Sequence, residues 1–184
     1  MSGYEFNDDY YESTSDDKLI WGINYRVVTD LASEPVTDTF FKEHARIDFD
    51  TDDTLIDSYL VAARMHLEQW SQRSFGVKTM GLTALRLPKY YKLMFGPVNV
   101  ITSPATGFTL SGDILKEGGT DIDIQYTTTG IINDLIRVAI CRYAAGLYMS
   151  RENVFTNRDG TVINPDIMMD EAKKMIRPYA NLII

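Results

Sequence analysis

Two histidines, His44 and His66, and one cysteine, Cys141, are the side chains of this sequence most suited to nucleophilic or acid–base work. Covalent catalysis needs a nucleophile, a base and a group that receives developing charge. Here both histidines fall in stretches of helical spacing on either side of an acidic turn, where packing or surface roles are the ordinary ones. Cys141 sits in an apolar run, and a single cysteine supports neither a disulfide framework nor a cysteine-based zinc site within one chain. A reducing compartment is expected. The run Asp48-Phe49-Asp50-Thr51-Asp52-Asp53 offers carboxylates at the first, third and fifth positions of a calcium loop. The loop then requires Gly at its sixth position and Glu at its twelfth, where this chain has Asp53 and Tyr59, so the run reads as a helix start. No phosphate-binding glycine loop of the P-loop or dinucleotide type occurs. The residues therefore point away from an enzyme and imply no metal and no cofactor.

One basic, aromatic cluster remains: Lys89-Tyr90-Tyr91-Lys92. Charge and stacking would let it touch nucleic acid, while an ordinary solvated hairpin end accounts for it equally simply and is the preferred reading. The chain as a whole carries a net charge of -8 with a pI near 4.7, which argues against a protein that grips nucleic acid through clustered phosphate contacts. A surface that repels DNA fits better.

With 184 residues and 45% hydrophobic content, the chain can bury one ordinary core. The reading divides it into an N-terminal acidic arm (1–30), a core (31–152) and a C-terminal hairpin, helix and tail (153–184). The first residues lack the basic and apolar regions of a secretory signal, so the chain is expected to act where it is made. The longest apolar region, Ile131 to Met149, is interrupted by Asp134, Arg137 and Arg142, which argues against a membrane span.

Local signals place the elements. In the arm, an acidic, Tyr-rich stretch precedes LIWGINYRVV, whose Trp21 and Tyr25 would anchor it on a partner; the alternative is an edge strand on the same subunit. Thr37 caps a short helix that should pack by Phe40 and Phe41. Asp48 to Asp53 supplies carboxylates for the amides of the next helix. From Thr54 to Arg73, Ile56, Tyr59 or Leu60, Ala63, Leu67 and Trp70 form one stripe. Asp57, Arg64, Glu68 and Gln72 form the opposite face, open to water or a neighbour. Gly76 after Phe75 suits a left-handed helix end. Between Val77 and Tyr126 the helical period gives way to short alternating runs: Thr83 to Leu87, Val98 to Ile101, and Ile122 to Tyr126. A turn at Gly118-Gly119 is expected to join Asp113-Ile114-Leu115 to the last of these. Ile131 to Arg151 reads as a second long helix that needs cover on most sides, and as core more than as a ligand pocket. Val154 to Ile163 reads as a hairpin around Asp159-Gly160. Asn164, Pro165 and Pro178 then bracket a last helix, followed by an apolar terminus at Tyr179 to Ile184. The predicted fold class is mainly α with a small β unit: a helical-bundle protomer with two long helices, short antiparallel strands and extended terminal arms.

Three blocks in this order resemble the head-tail connector, or adaptor, proteins of tailed bacteriophages. They are IDFDTDDTLIDSYLVAARMHLEQW, the middle segment with GPVNVI and YTTTG, and INDLIRVAICRYAAGLYMSRE, together spanning roughly residues 36 to 152. The long acidic arm and the extended C-terminal part depart from that pattern.

The resemblance implies a structural virion protein, without turnover, that forms a twelve-fold homo-oligomeric ring beneath the portal protein. Such a ring joins capsid to tail, extends the DNA channel and carries a tail-side stopper or tail protein. It implies assembly in the host cytoplasm and a final place in the virion neck, with double-stranded DNA passing and no sequence-specific binding or membrane. Portal docking would fall to Ile167, Met168, Met175, Ile176, Tyr179, Leu182, Ile183 and Ile184. Subunit contacts would fall to Asp57, Arg64, Glu68, Arg137 and Arg142, and a channel loop to Lys89, Tyr90, Tyr91 and Lys92. The rival readings are a tail-completion or ring protein of a short-tailed phage that contacts the tail nozzle, and a DNA-packaging accessory subunit.

Overall fold

The computed structural model describes residues 22–104, 106–151 and 164–180. The expected anchor Trp21, the hairpin expected over 154–163, and the terminal Leu182, Ile183 and Ile184 lie outside the described residues. In chain order the elements are β1 (Asn24–Thr29), α1 (Asp38–Ala45), α2 (Asp53–Ser71), β2 (Thr79–Leu87), β3 (Tyr91–Lys92), β4 (Val98–Ser103), β5 (Leu110–Ser111), β6 (Ile114–Leu115), β7 (Gly119–Thr128), α3 (Asp134–Ser150) and α4 (Pro165–Ile176). A 3-10 turn, Arg177–Tyr179, follows α4.

This corrects the expected fold class. About 40% of the structure is helix and 27% strand, in four helices and two antiparallel sheets, so the protomer is a mixed α and β structure and not mainly helical. One sheet has the order β1-β2-β7-β4 and the other β3-β6-β5. The strand content is hard to read locally because strand partners lie far apart in sequence: β2 pairs with β7 from Thr79↔Thr127 to Leu87↔Gly119. Gly118-Gly119 does not close a hairpin between β6 and β7. β6 pairs with β3 and β5, while β7 lies between β2 and β4.

Two apolar clusters organise the molecule. In the helical one, Ile56, Leu60, Ala63 and Leu67 of α2 meet Ile136, Ala139, Ile140 and Tyr143 of α3, with Phe41 of α1 and Ala172 and Ile176 of α4 closing it. The cover that α3 requires comes from α2 on one side and α4 on another. In the sheet cluster, the cross-strand pairs Met80–Tyr126, Leu82–Ile124 and Ala84–Ile122 point to one face. Burial of these alternate residues fixes the register, since a one-residue slip of either strand would turn its three outward.

Helix starts follow the local signals in part. Thr37 accepts from the Phe40 N–H and Asn133 from the Ile136 N–H, as N-caps do. Asn164 accepts from the Asp166 N–H ahead of Pro165. Only Phe41 of the two phenylalanines packs; Phe40 is exposed. The left-handed residue after α2 is Gln72, with φ 53°, and not Gly76. Gly76 answers a different demand: a Cβ there would fall 2.0 Å from Leu31 Cδ2, and a Cβ on Gly130 would fall 2.5 Å from the Gly76 Cα. The loops after α2 and β7 thus cross with backbone against backbone, which holds the sheet against the helices.

Candidate assembly surfaces and the charged seam

Between the two apolar clusters lies a network that the sequence reading placed outside. Arg64 and Glu68 were expected on an outward face, but each is only 1–2% exposed. Arg64 Nε donates to Glu34 Oε2 at 2.7 Å and its Nη2 to Glu34 Oε1 at 2.9 Å, a two-pronged pair of the strong kind. Its Nη2 also reaches Asp30 Oδ2 at 3.0 Å, and its Nη1 donates to Glu68 Oε2 at 2.9 Å. Lys78 Nζ donates to the same Glu68 oxygen at 2.5 Å, and the Phe75 N–H to Glu68 Oε1 at 2.7 Å. One guanidinium from α2 and one ammonium from Lys78, just before β2, therefore bind three carboxylates, two from the β1–α1 connection and one from α2. Burial works against charge on both Arg64 and Asp30. Even so, Glu34, Glu68 and Asp30 hold the Arg64 pKa up, and the Leu31 N–H with Arg64 holds the Asp30 carboxyl below its ordinary range. The sequence carried one signal for this. Ile56, Leu60, Arg64 and Glu68 form a single i,i+4 row, so the charges continue a buried stripe.

A second staple uses Arg73. Its Nη1 donates to Asp113 Oδ2 at 2.7 Å and its Nε to the Tyr179 carbonyl at 3.1 Å, tying the end of α2 to the small sheet and to the C-terminal turn.

The acidic turn does not cap α2 through its side chains: Asp52 makes no capping hydrogen bond. Its carboxylate accepts from Tyr148 Oη at 2.5 Å and from Arg151 Nη1 at 2.8 Å, while Lys42 Nζ bridges Asp50 and Asp53. Arg151 also lies over the Tyr148 ring at 4.2 Å. Those contacts hold the Asp52 carboxyl below its ordinary range and, through Asp50 and then Asp53, raise the Lys42 ammonium. Among the described residues no group of three or more His, Cys, Asp or Glu side chains is arranged to hold a metal. Nor is any helix long and apolar enough to cross a membrane.

The remaining expected site residues divide. Tyr25 lies in β1, paired with β2 as an edge strand of the same subunit. Its hydroxyl donates to Tyr91 Oη at 3.1 Å and accepts from the Met94 N–H, and its ring meets Phe95 edge to face. Tyr91 is thereby removed from the expected loop tip: it is a buried strand residue, while Lys89, Tyr90 and Lys92 are exposed. Ile176 is fully buried against α3, so it is core in the protomer. Met168, Met175 and Tyr179 are half-buried on the same cluster, and Ile167 is 56% exposed. Asp57 and Arg137 are exposed, and Arg142 pairs with Glu171 of α4 at 2.6 Å. His44 is exposed, and His66 stacks on Tyr143 at the surface. Cys141 is buried, and burial pushes its thiol up to about 12.

Beneath β1 a cleft of about 520 Å³ is lined by Tyr25, Val27, Arg64, Met65, Gln72 and Phe95 among others. The Gln72 side-chain oxygen is buried there without a hydrogen-bond partner among the described residues. Val77, Leu85, Met65 and Val27 join Ile167 as large apolar side chains about half exposed or more.

Solved structures share this fold. A chain in the neck of an empty gene transfer agent (GTA) particle, computed with C6 symmetry, superposes with a TM-score of 0.65 at 17% identity, covering 88% of this chain and 97% of that one. A chain in the virion of a native gene transfer agent particle gives 0.65 at 18%, covering 87% and 96%. One in the neck of a native GTA particle, computed with C12 symmetry, gives 0.60 at 17%, covering 88% and 97%. No curated protein matches the sequence. The model of the phage gp6-like head-tail connector proteins matches residues 39–179, from α1 through the turn after α4, and the chain belongs to that family.

Proposed function

We propose that this connector protein forms a homo-oligomeric ring, twelve-fold, beneath a portal protein, joining head to tail and extending the DNA channel. The carrying observation is the family match across residues 39–179, which takes in nearly all of both apolar clusters and Arg64, Glu68 and Lys78 of the charged seam. The C6 and C12 symmetry of the necks that contain its structural neighbours supports a ring. So does the exposed apolar surface, which heterologous contacts between copies would cover. The role is structural, in the virion neck after assembly in the host cytoplasm, and an acidic channel wall would let DNA slide without gripping it.

Within this reading the exposed Asp57 and Arg137 and the partly buried Arg142 serve subunit contacts. Arg64 and Glu68 act inside the protomer and not between copies. The C-terminal face, with Ile167, Met168, Met175 and Tyr179 and the terminal Leu182, Ile183 and Ile184, meets the portal, and a tail-side stopper or tail protein binds opposite. Removing the whole of α4 would not test this, because Ala172 and Ile176 belong to the helical core. Ile167→Asp changes the exposed side chain alone. It should abolish co-sedimentation with portal-bearing heads while leaving the circular dichroism spectrum unchanged. Unaltered co-sedimentation removes the docking role. Electron microscopy that shows no circular layer of this chain between capsid vertex and tail would overturn the function itself.

A further inference from the structure

Positive charge in this acidic protein collects at one end of the sheet. Seven described lysines and arginines make no ion pair with described residues, and four of them, Arg86, Lys89, Lys92 and Lys116, share that end. The other three, Arg46, Lys174 and Arg177, lie in or just after the helices. Arg86 and Lys89 line a shallow hollow with Gly118, Gly119 and Thr120. Arg86 stands opposite Thr120, and a Cβ on Gly118 would fall 2.4 Å from the Pro88 carbonyl, so the β2–β3 and β6–β7 loops meet backbone to backbone. That meeting draws Lys116 toward the same end. Lys92 pairs across the small sheet with Ile114. Lys89, Lys92 and Lys116 are exposed and Arg86 is half-buried.

The carboxylates around this end do not cancel it. Asp113 is held by Arg73 and the Val98 N–H, and Glu117 accepts from the Thr109 N–H. Asp121, next to Thr120, is exposed, so four cations face Glu117 and Asp121 and the end is net positive. Distance isolates it as well. The strands leave the helices where Gly76 crosses Gly130, and the nine residues of β2 then carry the chain about 27 Å to the tip. Screening at physiological salt acts over about 8 Å, so the charges of the seam and of the helices are largely damped there.

We propose that this tip is a contact site for the phosphate backbone of double-stranded DNA, with Arg86, Lys89, Lys92 and Lys116 each answering one phosphate. The proposal rests on the ring reading, which supplies a duplex passing the subunit, while the binding itself is a property of the protomer. Long cations on two loops recognise phosphodiester charge and not base edges, so the contact carries no sequence preference. It is also salt-labile, which lets the duplex keep moving past a wall that elsewhere repels it. Tyr90, exposed at the tip, has Lys89 Nζ 5.6 Å from its ring centre, which narrows the positions that ammonium takes. Lys116 joins Arg86 and Lys89 only when the two loops meet, so spacing along the chain does not show the site.

Titration of the ¹⁵N-labelled full chain with a short DNA duplex, followed by NMR, tests it. Amide shifts are expected at Arg86, at Lys89 to Lys92 and at Lys116 to Thr120, with Lys174 on α4 unmoved. Four phosphate contacts give a slope of about -3.6 in log K against log salt, so affinity should fall about a hundredfold between about 50 mM and about 200 mM salt. Lys89→Gln and Lys116→Gln, both at exposed positions, should each reduce that slope by about one, and Lys174→Gln should leave it unchanged. Shifts spread evenly over the surface, no shifts at low salt, or a slope that neither tip variant alters would overturn the proposal. Polyglutamate of equal charge that binds the tip as tightly as the duplex would also overturn it and make the partner an acidic protein surface. Absence of tip binding beside a ring seen by electron microscopy removes this inference alone, and tip binding without a ring removes the ring reading alone.

Discussion

The two ends of α2 carry charge clusters of similar composition and opposite character. Near its C-terminal half, Arg64, Glu68 and Lys78 are almost wholly buried and join helices to sheet. At its N-terminus, Lys42, Asp50, Asp52, Asp53 and Arg151 meet at the surface, Asp50 almost fully in water. Attraction between exposed charges is weakened by water and salt and offset by side-chain entropy. A buried network gains more from each contact but has already lost its hydration, so breaking it leaves uncompensated charge. The seam should therefore govern whether the protomer folds, and the surface clasp only how tightly the α1–α2 turn rests on α3.

Arg64→Ala is the strongest way to break that comparison. It leaves Asp30 and Glu34 without their cation and Glu68 with Lys78 as its one cation, and a loss of about 3–5 kcal/mol is expected in urea unfolding. Arg64→Lys should recover only part, since an ammonium cannot reproduce the two-pronged pair with Glu34. Glu68→Gln comes next, at about 1–3 kcal/mol, because Lys78 and Arg64 lose a shared carboxylate while the Phe75 N–H keeps an acceptor.

Acid sharpens the contrast. Asp30 and Asp52 both have depressed folded values, so the stability they add is present above the unfolded carboxyl value of about 3.9 and is lost as pH falls through the lower folded values. Asp52→Asn should abolish an early, local loosening of the α2 N-terminus seen by hydrogen exchange, while the global acid transition stays in place. Equal effects of Asp52→Asn and Arg64→Ala on global unfolding would end the distinction. The smallest signal is a kinetic one. Cys141, buried and with its thiol pushed up to about 12, should resist disulfide reagents in the native protein. Its labelling should quicken in Arg64→Ala and stay unchanged in Asp52→Asn.

How far the sequence could be read depended on the range of the interactions involved. Thr37 and Asn164 act on amides two or three residues away, so their spacing was sufficient, whereas α3 starts at Asp134 behind the cap Asn133 and not at the expected Ile131. The apolar row of α2 was legible for the same reason. Tyr91 and Ile176 could not be placed from spacing: Tyr91 is buried by a strand 66 residues earlier, through its bond with Tyr25, and Ile176 by α3. Gly76 resembled a helix terminus and proved to be a crossing point with Gly130, a demand visible only when both loops are in place.

Composition and periodicity by themselves determined the starts of α1 and α4 and the apolar stripes, because those depend on neighbours along the chain. Only the tertiary structure decided the strand order and the fate of the charges. A polar residue four places beyond Leu60 reads as surface until Asp30 and Glu34 close over it, and that closure depends on where the β1–α1 connection passes α2.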